Sequence, residues 1–306
     1  MSGAPAPAAQ ATSGRPSGGD LPSYGCVVLT QGRRPADLRA ALDSLLGQTG
    51  VRLDVLVVGN GWHPAGLPAG VRALALPDNL GIPAGRSAGV PHVSGELLLF
   101  LDDDARLSGT GMLAEVARRF AAEPRLGLLQ PRVVDPTGRP APRRWTPRLR
   151  VGDPGRSSDV AAVWEGLVVL RREVYARAGG WPDEFFYGHE GIDLAWGVWD
   201  CGAVVRYAGD LVVHHPAVAQ TRHPYFHRLS ARNRVWLARR RLPAPVGVVY
   251  VLVWLTLTLA RTRTPRDLRE VLGGTLEGLR TAPALRRPMS WRTAARMTRV
   301  GRPPVI

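Results

Sequence analysis

From Tyr24 onward, short apolar runs alternate with segments whose apolar positions recur every three or four residues. GCVVLT (25–30) is brief, apolar and partly β-branched, which predicts a strand. RRPADLRAALDSLLGQ (33–48) then sets Leu38, Ala41, Leu42, Leu45 and Leu46 on one helical face, with Pro35 suited to the first turn. VRLDVLVVGNG (51–61) and VRALAL (71–76) predict two more strands, DNLGIPAGRSAGV (78–90) a Gly-rich helix, and LLLFL (97–101) a fourth strand. SGTGMLAEVARRFAAEP (108–124) returns to helical spacing through Met112, Leu113, Val116 and Phe120 and stops at Pro124. This repetition predicts an α/β fold, a mostly parallel sheet with helices on both faces. Ligands of such sheets sit beyond the carboxyl ends of the strands.

The fourth strand runs directly into Asp102, Asp103 and Asp104. In an extended chain Asp102 and Asp104 project to one side and Asp103 to the other. Two unpaired carboxylates roughly 4 Å apart repel by about 1 kcal/mol in water and by several in a drier cleft. A shared divalent cation, Mg2+ or Mn2+, left partly open to phosphate oxygens, removes that repulsion. The same three residues also read as a solvated acidic turn leading into the next helix.

The 306 residues, 45% of them hydrophobic, suffice for one large domain with appendages. Residues 1–22 are dominated by Ala, Pro, Gly and Ser and are expected to be a flexible tail. They lack the continuous apolar run of a secretory signal, so a cytoplasmic location is expected, with Cys26 and Cys201 as reduced thiols. The net charge of +15 is unevenly placed: residues 1–221 hold 22 Arg and 22 acids, whereas residues 222–306 hold 18 Arg against Asp267, Glu270 and Glu277. Residues 222–241 form an Arg-rich helical segment, and the 19 residues from 242 to 260 carry no charge. Pro243 and Pro245 shorten the continuous helix there to about 15 residues, below the ~20 of a membrane crossing. Two readings stand: a segment lying at the inner face of the plasma membrane, its arginines facing anionic lipid, or a helix that closes the preceding domain. No nucleic-acid recognition motif accompanies the charge, and no nucleic-acid partner is expected. The chain therefore divides into a tail (1–22), an α/β domain (23–241) and a basic, apolar helical extension (242–306).

Six motifs extend this reading: VVLTQGR (27–33), VLVVGNG (55–61), NLGIPAGRSAG (79–89), GELLLFLDDD (95–104), GGWPDEFFYGHEGIDLAW (179–196) and LVVHHP (211–216). In this order and spacing, over roughly Tyr24 to Arg240, they resemble the family 2 glycosyltransferases of GT-A fold, in their rhamnosyltransferase-like branch. The resemblance implies a metal-dependent, inverting transfer of a hexosyl or deoxyhexosyl group from a nucleotide-diphosphate sugar to an acceptor hydroxyl. The acceptor would be a saccharide, a glycolipid or a small molecule, with cell-envelope polysaccharide or glycolipid assembly as the setting.

By that likeness Thr30, Arg33 and Asn60 line the nucleotide pocket. Asn79, Gly81 and Gly85 let backbone approach the donor, and Arg86 stands near it. Asp102 and Asp104 correspond to the family's metal-binding pair and Asp103 lies at the donor. His215 completes the metal site, with His214 its rival. Trp164 and Gly166 are expected at the acceptor. Glu190 and Asp193 share a helix face, and one of them would take the acceptor's proton. The family usually carries Glu-Asp-x-Asp there, with the Asp after the Glu as the base, and here that position is Gly191. Gly59 and Gly197 replace, in the same way, an Asp that often contacts the base and an Arg that often follows Asp-Leu-x-Trp. A nucleotidyltransferase on a similar sheet, or a relative that binds nucleotide sugar or a membrane surface without turnover, are the competing functions.

Overall fold

A computed structural model describes residues 21–219 and 223–305. The expected tail at 1–22 therefore falls outside the described residues except for Leu21 and Pro22. The first half follows the predicted alternation: β1 (Ser23–Thr30), α1 (Pro35–Leu46), β2 (Arg52–Asn60), β3 (Val71–Leu76), α2 (Ile82–Gly89) and β4 (Leu97–Asp102). After β4 come β5 (Arg106–Leu107), α3 (Met112–Ala122), β6 (Leu126–Val134), β7 (Ser158–Asp159), β8 (Leu167–Arg171), α4 (Arg172–Ala178), α5 (Glu190–Asp200) and β9 (Val204–His214). Four helices close the chain: α6 (Phe226–Arg241), α7 (Ala244–Arg261), α8 (Pro265–Arg280) and α9 (Trp291–Arg299).

The nine strands form one sheet in the order β3-β2-β1-β4-β8-β6-β9-β5, with β7 also on β9. The run β3-β2-β1-β4 is parallel. The apolar strand β8 then enters antiparallel to both β4 and β6, and β6 and β9 are parallel again. The two residues of β5 matter most for function. They pair antiparallel with the end of β9, Arg106 opposite His214. The chain thus leaves β4 at Asp102, turns through Asp103 and Asp104, and re-enters the sheet beside the segment carrying His214 and His215.

One apolar layer packs α1 and α3 on one face of the sheet, through Leu38, Leu42, Val116 and Phe120. The opposite layer takes in Val27, Phe100, Trp181 and Trp196 and extends without a break to Leu242, Tyr250, Met289 and Met297. The segment after residue 242 thus shares the core of the sheet, and Arg287 and Met289 donate backbone hydrogen bonds to the carbonyls of Arg240 and Arg241. The helix there is not shortened by its prolines. Pro245 lies in the first turn of α7, where a missing N–H costs nothing, and α7 runs for 18 residues.

Candidate active site

The three aspartates sit at the carboxyl ends of the parallel strands and are each held by a different set of partners. Asp103 turns back toward β1, accepts a 2.6 Å hydrogen bond from Thr30 and pairs with Arg34. Arg34 also bridges to Asp104. Asp102 is held by Arg86 at 2.6 Å. Arg86 is a buried guanidinium, 1% exposed, that also donates to the Glu165 carbonyl and lies over the Trp181 ring. Asp104 receives the other side of the site, with His215 Nε2 3.0 Å from its Oδ1. The ligand atoms of Asp102, Asp104 and His215 lie within 4.8 Å of one another.

His215 is positioned by backbone and side chain alike. Its N–H donates to the Val134 carbonyl, and Asp135 accepts from Ala217, fixing the turn after β9. Its Nδ1 lies 2.8 Å from the Pro216 carbonyl, so Nδ1 carries a proton and Nε2 is the nitrogen turned to the carboxylates. The imidazole stands edge-on to Trp164, at 4.7 Å, and to Trp145. His214 belongs to the β5–β9 ladder, and its neighbour makes the carboxylate contacts.

Burial pushes the Asp103 carboxyl up to about 6 in spite of Thr30 and Arg34. Burial works the same way on Asp104, but the hydrogen bond and charge of His215, with the charge of Arg34, hold it below the ordinary carboxylate range. For His215, burial disfavours the charged ring, and the hydrogen bond and charge of Asp104 outweigh it and raise its pKa. A proton or a cation can occupy the space between Nε2 and the carboxylates, which is the competition expected at a metal site. Two carboxylate oxygens and an imidazole nitrogen form a donor set that fits a hard divalent cation such as Mg2+ or Mn2+.

Around this group the other expected residues occupy defined places. Arg33 is exposed, and its neighbour Arg34, not singled out from the sequence, makes the ion pairs. Asn60 is buried and ties the following loop together, donating to Asn79 Oδ1 and the Gly81 carbonyl and accepting from the Leu80 N–H. Gly81 sits at φ 85°, and a Cβ there would run into the backbone of Phe186. A Cβ on Gly85 would meet Leu29 at 2.6 Å. Both glycines thus permit close packing of α2 on the protein itself. Gly166 accepts from the Asp102 N–H, and a Cβ at that position would overlap the Trp164 ring, which folds back over it toward His215.

The two candidate bases separate completely. Asp193 has no solvent exposure, and both its oxygens accept from Arg240 and Arg241 of α6, at 2.7 to 3.2 Å. The expectation that Asp193 is a base is corrected here: its carboxylate locks α6 to α5 and presents no oxygen to a cleft. Glu190, at the start of α5, is buried beside Glu165, with no hydrogen-bond donor at its Oε2 among the described residues. The 186–189 loop that leads into it holds two non-glycine residues at positive φ, Phe186 and His189. Asn233 of α6 clamps that loop by donating to the carbonyls of Phe185, Tyr187 and Gly188. Such strained positions, held by surrounding structure, cluster at functional sites.

Comparison with known proteins agrees with this geometry. Residues 26–177 match the profile described as glycosyl transferase family 2. No curated protein matches the chain by sequence. Among solved structures, the fold is similar to GalNAc-T7 with UDP, GalNAc and Mn2+ (TM-score 0.59, 13% identity), covering 86% of this chain and 55% of that one. The chain thus spans about half the length of that glycosyltransferase. It is also similar to TarS 1-349 of S. aureus (TM-score 0.57, 14% identity, 84% and 80% of the two chains). A third is the mannosyltransferase PcManGT of Pyrobaculum calidifontis in complex with GDP-Man and Mn2+ (TM-score 0.54, 17% identity, 90% and 83%). At these identities the likeness establishes a shared GT-A-like fold.

Proposed function

We propose that the protein is a metal-dependent, inverting glycosyltransferase that moves a hexosyl or deoxyhexosyl group from a nucleotide-diphosphate sugar to an acceptor hydroxyl. The observation that carries this reading is the convergence of Asp102, Asp104 and His215 at the carboxyl end of β4, the two aspartates lying in the stretch that matches the family 2 profile. Three carboxylates against the guanidiniums of Arg34 and Arg86 leave one net negative charge there with His215 neutral. A divalent cation reverses that sign and makes the site attractive to a diphosphate. Asp102, Asp104 and His215 would hold the ion, and when bound it neutralises charge developing on the departing nucleoside diphosphate. Thr30 and Arg34 fix Asp103, Arg86 fixes Asp102, and Trp164 walls the cleft beside His215. The acceptor's proton goes to a carboxylate beside the start of α5, where the side chains of Glu165 and Glu190 lie next to each other.

The acceptor side faces a membrane surface in this reading. α7 has a mean hydropathy of 1.6 with 11% of it buried, and Val248 and Leu252 are each 59% exposed. On α8, Leu268, Leu272, Leu276 and Leu279 form an exposed stripe flanked by Arg266, Arg269 and Arg280. Tyr250 and Gly247 tie α7 to the protein body, which favours a helix lying on the inner face of a bilayer over one that crosses it. Such a position suits a lipid-linked saccharide acceptor in envelope assembly.

The test is consumption of a panel of nucleotide sugars with Mn2+ or Mg2+, comparing wild type with Asp104→Ala. A loss of turnover of a hundredfold or more is expected. Equal turnover in the two proteins would remove the metal role.

A further inference from the structure

At Gly191 another residue's carboxylate stands beside α5, packed with a backbone carbonyl against the space a side chain would fill. A Cβ built on Gly191 would lie 2.6 Å from Glu165 Oε2 and 2.6 Å from the Val163 carbonyl. Glu165 comes from the segment leading into β8, between Trp164 on His215 and Gly166 on Asp102. Its backbone carbonyl accepts from Arg86, the residue that holds Asp102. Its side chain lies beside that of Glu190, whose buried Oε2 has no hydrogen-bond partner among the described residues. Two carboxyls so placed lose their mutual repulsion when they share one proton, which would also supply that oxygen with a donor. The two differ in access: Glu190 is 2% exposed, whereas Glu165 keeps part of its surface open.

We propose that Glu165 is the carboxylate that meets the acceptor and takes its proton, and that Glu190 is a positioning residue that holds the shared proton beside it. The inference rests on the glycosyltransferase reading and names the residue that serves the acceptor. In the step, the acceptor O–H proton passes to the ionised Glu165 while Glu190 keeps the shared one. The acceptor oxygen bonds to the anomeric carbon, and the bond from that carbon to the diphosphate oxygen breaks with its electron pair leaving on the diphosphate. The pair ends with two protons and no charge, and Arg86 remains paired with Asp102. Burial and the Glu190 charge raise Glu165 well above the ordinary range, opposed by Arg86; burial raises Glu190, opposed by Glu165 and Arg86, with Asp102 adding to the rise. A carboxyl so raised is a stronger base toward an alcohol than a solvated one.

At Gly197 a Cβ would lie 2.7 Å from the Ala178 carbonyl and 3.0 Å from Arg241 Nη2, the guanidinium that Asp193 holds.

The experiment measures nucleoside diphosphate release from the nucleotide-sugar panel, across pH, for wild type, Glu165→Gln, Glu165→Ala and Glu190→Gln. Binding of Mn2+ with UDP or GDP is measured on the same proteins. Glu165→Gln should lower turnover at least a hundredfold and abolish the acid limb of the pH profile, with Mn2+ and nucleotide affinity within about twofold. Azide, which needs no deprotonation, should restore product formation to Glu165→Ala. Glu190→Gln should shift that acid limb and lower turnover less than Glu165→Gln does. Turnover of Glu165→Gln within threefold of wild type overturns the assignment, as does a parallel loss of Mn2+–nucleotide binding. A wild type that consumes no donor overturns the glycosyltransferase reading and this one with it, whereas active wild type with active Glu165→Gln overturns this one alone.

Discussion

Replacing Asp193 by Asn tests whether its carboxylate is a lock or a base. Asp193 has no exposure, and Arg240 and Arg241, each 2% exposed, donate to it at 3.2 Å and at 2.9 and 2.7 Å. Arg240 has a second carboxylate in Glu184 at 3.3 Å, but among the described residues Arg241 has only the Ala178 carbonyl besides Asp193 as a hydrogen-bond acceptor. Removing one partner of a buried ion pair costs about 3–5 kcal/mol, because the other charge is left in a poorly solvating interior. An amide oxygen still accepts one hydrogen bond, which places Asp193→Asn near the lower end and Asp193→Ala near the upper. At about 2 °C per kcal/mol for a chain of this size, the melting temperature should fall by roughly 6–10 °C. Thermal melts followed by circular dichroism read this directly, with donor consumption measured below the transition. Apolar replacement of the trio, Asp193→Leu with Arg240→Met and Arg241→Met, should recover most of the loss, since no charge then remains to be desolvated. A melting temperature within about 1 °C of wild type, together with abolished turnover, would refute the reasoning and return Asp193 to the chemistry.

Three further outcomes are expected. Gly166→Ala places a methyl group in the Trp164 ring, so the indole must leave His215; donor turnover and Trp fluorescence should both change while the fold persists. His189, lowered to about 3 by burial and by Arg234, stays neutral in the folded protein while the unfolded chain takes up a proton below its ordinary value of 6.5. Stability therefore falls as pH drops from about 6.5 toward 3, and His189→Asn, which tolerates the φ of 74°, should flatten that slope in pH-dependent melts. Vesicles containing anionic lipid should co-sediment the protein at low salt and neutral vesicles should not; Val248→Asp with Leu252→Asp should abolish the association, and retained binding would count against α7 as the contact.

The alternation of apolar runs and helical spacing was enough to place β1 to β4 and the helices between them, because each element's period is a local property of the chain. The motif order pointed to Asp102, Asp104 and His215, which the structure brings together. Arg34, Glu165, Arg241 and Asn233 were not legible in that way. A lone charged or polar residue in RR, WEG or ARNR carries no periodic signal, and its partner lies tens of residues distant. Gly191 and Gly197 looked like lost functional groups until the fold showed Glu165 and Arg241 standing beside them.

The sequence by itself determined a strand that ends in three carboxylates and a helix that begins with one, since backbone propensity and side-chain period act within a few residues. Only the tertiary structure decided which charges meet. The two-residue strand β5 brings the aspartates to His215, and α6 brings two guanidiniums to Asp193, because desolvated charges must find partners in space whatever their separation along the chain.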